Sequence, residues 1–258
     1  MKKAIVFIAY DRPHYFKVTL ESWSMVKDIE QYDIYFSIDR TEDRKIFKNQ
    51  LKLINDFKFK IPSKVYIHIN DPKFGMGHNQ HNSLNRLFSL DYDFIIQAEE
   101  DIVVSKDVLH YFNQMLSVYL QDDYVTLNAF SLTQDDKRID GYFEISSWGC
   151  PWVWGISKDS WNKYLKDKFD FHNTISWDVM LWKKYKNTVK SLFAVSSKTK
   201  NIGIWGHYNK GKPHAVNIID NSQFNNKHYY GKFKKYQLDE KKDKFMIQAQ
   251  NKIMTGIK

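Results

Sequence analysis

The chain has 258 residues, 43% hydrophobic and 16% aromatic, with 39 Lys and Arg against 30 Asp and Glu for a formal net charge of +9. That length suits one large α/β domain or two small ones, and the composition excludes a disordered, low-complexity chain. A single cysteine, Cys150, excludes an intramolecular disulfide framework and any multi-cysteine zinc site.

The cysteine usage suits a reducing cytoplasm, with peripheral attachment to a membrane as a second setting. Met1-Lys2-Lys3 followed by Ala4 to Tyr10 has the outline of a secretory leader, but the apolar run is short and meets Asp11-Arg12-Pro13 without a small-residue cleavage site. It reads as a first strand. No stretch approaches the roughly 18 apolar residues of a membrane helix. The positive charge is carried by lysine, with arginine only at 12, 40, 44, 86 and 138. Spread lysine is a solvated surface in the plainest reading, or an attraction to nucleic acid, acidic glycan or an anionic membrane face. Each arginine beside a motif gains weight as a phosphate or base contact, because its fork suits bidentate recognition.

In chain order, Ala4 to Ala9 is a β-branched and aromatic run that predicts a strand buried on both faces. Pro13 opens a helix over about 14–26. A second strand covers Tyr32 to Ile38 and ends in Asp39-Arg40; Thr41 is the expected N-cap of a helix over about 42–57. Val65 to Ile69 is a third strand. Gly75-Met76-Gly77 precedes a helix over about 79–89, and Phe94 to Ala98 is a fourth strand. Ser105 is the expected cap of a helix over about 106–119. This βαβαβαβ order with short connections predicts a mostly parallel sheet.

The second half begins with a strand over Tyr124 to Phe130. Then come the aromatic segment Trp148 to Gly155, Ser157 as cap of a helix through Leu165, and a helix over about 177–186 opened by Trp177-Asp178. Asn201-Ile202-Gly203-Ile204-Trp205-Gly206-His207 is a glycine-punctuated loop. Lys232-Phe233-Lys234-Lys235 and a charged helix over about 239–254 close the chain. No repeat and no linker rich in Pro, Gly or Ser divides it. Residues 1–258 read as one domain, with a ligand-binding half over about 1–120 and an acceptor-side half over about 121–258.

The sharp polar features follow strands: Asp11-Arg12, Asp39-Arg40 and Glu99-Glu100-Asp101. Parallel strands gather such ends on one edge, where open α/β sheets bind ligands. Three adjacent acids repel unless a proton or divalent cation joins them, and Mg²⁺ or Mn²⁺ is usually held by one or two carboxylates plus substrate phosphates. Successive strand residues alternate faces, so the three cannot share one ion. Asp101 is the expected ligand, with Glu100 on a ribose or a metal-bound water and Glu99 in support. Trp148, Trp152, Trp154, Trp177 and Trp205 either fill a core or stack on a sugar ring or a base; stacking is the expectation. Asp135-Asp136 is a solvated turn or a secondary acid candidate.

The strand ending in Glu-Glu-Asp resembles the DxD-like motif of nucleotide-sugar glycosyltransferases of the GT-A fold. It is most similar to the α-mannoside β-1,2-N-acetylglucosaminyltransferase I group and its bacterial and viral relatives. Ile8 to Arg12 is similar to that group's first-strand motif, whose arginine touches the nucleotide. Ser37-Ile38-Asp39 resembles the motif whose aspartate reads the uracil. His78 stands where the group has a nucleotide-contacting histidine. Trp148 to Gly155 with Trp161 resembles its aromatic segment, Trp177-Asp178 its catalytic-base dipeptide, and Ser197 to Gly206 the late N-I-G-x-x-G loop of bacterial relatives. The likeness spans about residues 4–207. The family has Glu-Asp where this chain has Glu-Glu.

The resemblance implies an α/β, Rossmann-like GT-A fold and a Mn²⁺- or Mg²⁺-dependent, inverting glycosyltransferase. A UDP-sugar would be the donor, and the acceptor a hydroxyl on a glycan or lipid-linked saccharide. Arg12, Asp39, His78, Glu99, Glu100 and Asp101 would bind the donor, Asp101, Glu100 and His207 the metal, and Asp178 would be the base. The net charge and Lys232 to Lys235 keep open a phage-type DNA glycosyltransferase acting on a modified base, or an inactive nucleic-acid-binding module. A nucleotidyltransferase is a further alternative.

Overall fold

The structure, a computed structural model, describes residues 1–131, 139–149, 152–168, 177–203 and 228–237, with the backbone alone at 177–179 and 182. The first strand, β1 (Lys3–Ala9), is buried from Ala4 onward. Ile5, Phe7 and Ala9 enter one hydrophobic cluster, while Ala4, Val6 and Ile8 enter a second on the opposite face. A strand apolar on both faces, as β1 is from Ala4 onward, is stable only between two layers. Helices α1 (Pro13–Trp23) and α2 (Arg44–Lys58) supply one layer through Phe16, Leu20, Trp23, Ile54 and Phe57. Helix α3 (Met76–Ser89) lines the other with Leu84, Leu87 and Phe88. Phe7 stacks on Phe36 at 5.0 Å and meets Trp23 edge-on at 5.3 Å; each such buried ring contributes about 1.5–3 kcal/mol.

Strands β2 (Asp33–Asp39), β3 (Val65–Asn70) and β4 (Phe94–Glu99) complete the parallel half. β1 lies between β2 and β4, and β2 between β1 and β3, all parallel. The following elements are β5 (Ile102–Val104), α4 (Val108–Gln121), β6 (Tyr124–Asn128), β7 (Gly141–Ile145) and β8 (Trp154–Ser157). A short turn α5 (Lys158–Ser160) runs into a π turn over Trp161–Leu165. Then come α6 (Trp177–Tyr185), β9 (Lys190–Ala194), β10 (Thr199–Asn201) and β11 (Lys234–Lys235). Among the described residues the main sheet has nine strands, in the order β11-β7-β9-β6-β8-β4-β1-β2-β3. It is mixed, because β8 runs antiparallel to both β4 and β6, and β7 antiparallel to β9. β10 and β5 form a separate antiparallel pair. No described helix is long and apolar enough to cross a membrane.

The expected first-half elements are present, with two caps displaced. Asp43, not Thr41, caps α2, its Oδ1 accepting from the amides of Lys45 at 2.8 Å and Ile46 at 3.2 Å; the Thr41 hydroxyl accepts from the Asp43 amide instead. Ser105 does not cap α4. The N-cap is Asp107, whose side chain makes no cap bond because it is engaged elsewhere. Ser157 caps the next turn as expected, accepting from the Ser160 amide. Six strands went unforeseen, β5, β7, β8, β9, β10 and β11. The expected final helix and Asp135-Asp136 lie outside the described residues.

Asp107 is buried, with Oδ2 2.8 Å from Lys198 Nζ and 2.7 Å from the Tyr229 amide, and Oδ1 2.5 Å from the Ser105 hydroxyl. Lys198 is buried too, its amide donating to Ala129 and its carbonyl accepting from Ser105. This pair ties the start of α4, the link between β9 and β10, and the segment from 228 to 237 together. Burial pushes the Asp107 carboxyl up, but Lys198 and the hydrogen bonds outweigh it and hold it below the usual carboxylate range. A depressed carboxylate stabilises the fold above its ordinary pKa, and that contribution is lost as pH falls through the lower folded value. Asp107→Ala leaves an uncompensated buried lysine and is expected to cost about 3–5 kcal/mol at pH 7 in denaturant unfolding. The gap to the unmodified chain should narrow below about pH 4.

Candidate functional site

The carboxyl ends of β4, β1 and β2 lie side by side, with Ile8 level with both Glu99 and Ser37. Here β1 passes into α1 through Arg12, and β4 into β5 through Glu100 and Asp101. Gln97 is the residue of β4 whose side chain meets α3, so alternation puts Glu99 on that face too. Glu100 and Asp101, past the strand end, turn to the α1 side. Arg12 Nε is 2.7 Å from Glu100 Oε1 and its Nη1 is 2.8 Å from Asp101 Oδ2. The Tyr10 amide donates to Glu100 Oε2 at 2.8 Å, and the Thr19 hydroxyl on α1 donates to the Glu100 carbonyl at 3.0 Å. Both acids are 4% exposed.

The charges in this cluster do not balance, since two carboxylates share one guanidinium. For Arg12, burial lowers the pKa but the charges of Asp101 and Glu100 outweigh it, so the guanidinium lies above its ordinary value. For Glu100, burial dominates in spite of Arg12 and the Tyr10 amide, so its carboxyl lies above the usual carboxylate range. One partner speaks of a favourable pair and the other of an unfavourable one. The surplus negative charge reconciles them: Arg12 sees two anions, and each anion has half a cation.

The start of the late loop, Asn201 to Gly203, lies against the pair. The Ile202 amide donates to the Asp101 carbonyl at 2.9 Å, and the Gly203 amide to Asn201 Oδ1 at 2.7 Å. A Cβ on Gly203 would lie 1.9 Å from Asp101 Oδ2 and 3.1 Å from Arg12 Nη1. Only glycine lets the backbone approach the ion pair this closely.

Asp39, at the end of β2, is buried. Oδ1 accepts from Asn70 Nδ2 at 2.9 Å and the Phe74 amide at 3.2 Å, and Oδ2 from the Gly75 amide at 2.7 Å. It fixes the loop before α3, where Gly75 is at φ +82. His78, in the first turn of α3, is exposed. Beneath it, Ser37 donates to Asn79 Oδ1 at 2.6 Å and Ser83 to the Asn79 carbonyl at 2.6 Å.

The tryptophans divide. Trp148 and Trp154 are in the core, 5.2 Å apart and edge to face, and the Trp154 indole donates to the buried Gln97. The expectation that these two stack on a ligand fails, because no face of either ring reaches solvent; the glycines around them let the segment fold inward. Trp152 is half-buried, 4.6 Å from Phe130 and edge-on. Asp178 is the second residue of α6, and the side chains of Trp177 and Asp178, together with Trp205 and His207, lie outside the described residues. Sequence reasoning missed the Tyr10 amide, Thr19 and the close approach of Gly203. The glycine in the N-I-G loop was the one signal for the last of these.

A divalent cation fits this cluster on one atom. Asp101 Oδ1 is buried and without a hydrogen-bond partner, and an ionised carboxylate oxygen only accepts, so a cation would both occupy it and neutralise the surplus charge. Among the described residues no group of three or more His, Cys, Asp and Glu is placed to hold a metal. Asp101, with Glu100 beside it, is therefore the candidate position for a cation whose shell a ligand's phosphates would complete.

No protein-family model matches the chain, and no curated protein sequence matches it. Among solved structures it is similar to S. aureus TarS 1-349 in complex with UDP, at 12% identity and a TM-score of 0.54 over 77% of this chain and 59% of that one. A second structure of S. aureus TarS 1-349 matches at 12% identity and a TM-score of 0.52, over 76% and 61%. The mannosyltransferase PcManGT from Pyrobaculum calidifontis, in complex with GDP-Man and Mn²⁺, matches at 9% identity and a TM-score of 0.48, over 76% and 57%. The chain spans less than two thirds of each. With its large central sheet flanked by helices, it has the GT-A glycosyltransferase fold.

Proposed function

We propose that the chain transfers a sugar from a nucleotide-diphosphate sugar, a UDP-sugar in the first instance, to a hydroxyl on a glycan or lipid-linked acceptor, with inversion at the anomeric carbon. The observation that carries this reading is the unpartnered Asp101 Oδ1 in a buried, net-negative cluster at the carboxyl edge of a GT-A sheet. The donor class is supported by the shared fold with a chain seen with UDP.

Asp101 would hold Mn²⁺ or Mg²⁺, with Glu100 beside it. The cation, when bound, supplies positive charge for the diphosphate as it departs. Arg12 positions the two acids at the sheet edge through its Nε and Nη1. Asp39 and Asn79 fix the start of α3 and so present His78 to the nucleotide side. Asp178 takes the proton of the acceptor hydroxyl while that oxygen attacks the anomeric carbon opposite the leaving group. The bond from the sugar to the diphosphate breaks as the new glycosidic bond forms. Lys234 and Lys235 are paired with Asp140 at 3.2 Å and Glu144 at 2.8 Å, which lowers the net positive charge of the surface they offer to a nucleic acid.

Three substitutions separate these roles. Asp178→Asn is expected to cut transfer by about 10²–10⁴-fold with UDP affinity unchanged, and loss of binding along with activity would refute its assignment as base. Calorimetric titration of UDP with and without Mn²⁺ should show that Asp101→Ala removes the metal-dependent gain in affinity; an unaltered gain would sink the ligand assignment. Gly203→Ala forces the ion pair apart and is expected to destabilise the fold by about 1–3 kcal/mol, read as a lower thermal midpoint, and to weaken UDP binding in Mn²⁺.

A further inference from the structure

Among the described residues, β3 ends the nine-stranded sheet and pairs with β2 alone. Along a strand, the backbone groups of successive residues point to opposite sides. The Ile34 amide donates to the Lys64 carbonyl at 2.8 Å and the Arg40 amide to the Asn70 carbonyl at 3.0 Å. The even-numbered residues of β3 therefore face β2, and Val65, Ile67 and Ile69 turn their N–H and C=O groups to the open edge. The side chains there are exposed as well: Tyr66 by 42%, Ile67 by 48% and Ile69 by 41%. Proteins usually blunt such an edge with an internal lysine, a proline or a bulge. Val65–Asn70 has none of these, and its register with β2 is unbroken.

We propose that β3 is a self-association surface, on which two copies of the chain pair edge to edge, antiparallel, about a two-fold axis through Ile67. Outward groups must meet outward groups, so Ile67 pairs with the partner's Ile67 and Val65 with the partner's Ile69, each pair exchanging two backbone hydrogen bonds. A shift of two residues either way leaves one of the three outward residues without a counterpart in the strand. On one face the pairing joins Val65, Ile67 and Ile69 of both copies into an aliphatic stripe. On the other it sets Tyr66, already stacked on Tyr35 at 4.6 Å, against the partner's His68.

Charge selects a second copy as the occupant. Lys64 stands at one end of the strand and Asp71 at the other, both exposed. Antiparallel pairing in this register sets each Lys64 opposite the partner's Asn70, one residue from the partner's Asp71, which binds Arg40 through Oδ2. Parallel pairing would set like charges together and would not close into a symmetric pair. A strand pair buries less than the roughly 1,200–2,000 Å² of a stable interface, so the dimer is one that dissociates on dilution.

Sedimentation of the full chain over a concentration series should show a mass rising from 30.9 kDa toward twice that value. Ile67→Lys should hold it at the lower value with an unchanged thermal midpoint. The register is tested by oxidative cross-linking in a chain carrying Cys150→Ser. Ile67→Cys should cross-link to itself, whereas two copies of Val65→Cys, separated by about 13 Å along the strands, are beyond the roughly 7 Å Cα reach of a disulfide. A chain that is monomeric at every concentration overturns the proposal. So does a dimer that survives Ile67→Lys, or cross-linking of Val65→Cys as readily as Ile67→Cys. Should Ile67→Lys fail to fold, the two cysteine variants decide alone.

Discussion

The contact on which the rest of the site depends is the fork of Arg12 over Glu100 and Asp101. It joins the end of β1 to the turn after β4. Its neighbours bring in α1 through Thr19 and the late loop through Ile202 and Gly203. Three separate stretches of chain thus meet around this ion pair. Buried ions are costly unless paired and fully hydrogen-bonded, and this group meets the first condition only in part. Glu100 has both oxygens engaged, whereas Asp101 has one engaged and one left bare.

The pair of Asp107 and Lys198 is the instructive contrast. It is as deeply buried, but its charges are equal and both Asp107 oxygens have partners. Removing solvent from a balanced, satisfied pair locks three segments together and leaves nothing to bind. The Arg12 cluster, with one cation for two anions, retains both a surplus charge and a free acceptor. Similar residue types thus do two jobs, and the count of charges and lone pairs separates them better than burial does.

The parallel half was legible because each of its strands is a continuous apolar run ending in a polar pair, a pattern with one physical solution between two helical layers. The acidic step after β4 was legible for the same reason. What could not be read was pairing over long sequence distance. β5 and β10 have three residues each, too few for any periodicity, and exist because they pair with each other. The caps at Thr41 and Ser105 were misplaced because Asp43 and Asp107 compete for the same positions, and only the fold shows that Asp107 is taken by Lys198. The tryptophans of the 148–155 segment were read as surface because glycines flank them. β8 instead runs through the middle of the sheet, and the buried Gln97 amide gives the Trp154 indole N–H its partner.

That glutamine belongs to a wider pattern. The side of α3 turned to the sheet is polar along its first turns, where Asn79, Gln80 and Ser83 are buried, and apolar only further on at Leu84, Leu87 and Phe88. An apolar face would leave the helix free to slide by small steps, since dispersion contacts have little directionality. Hydrogen bonds from Asn79 to Ser37, from Gln80 to Gln97 and from the Gly75 amide to Asp39 instead fix the helix start against β2 and β4. The polar end is the one beside the acids, and the apolar end lies away from them. Rigidity is therefore concentrated where a ligand's position would have to be held to a fraction of an ångström. The ordinary hydrophobic core is left to hold the far end of the same helix.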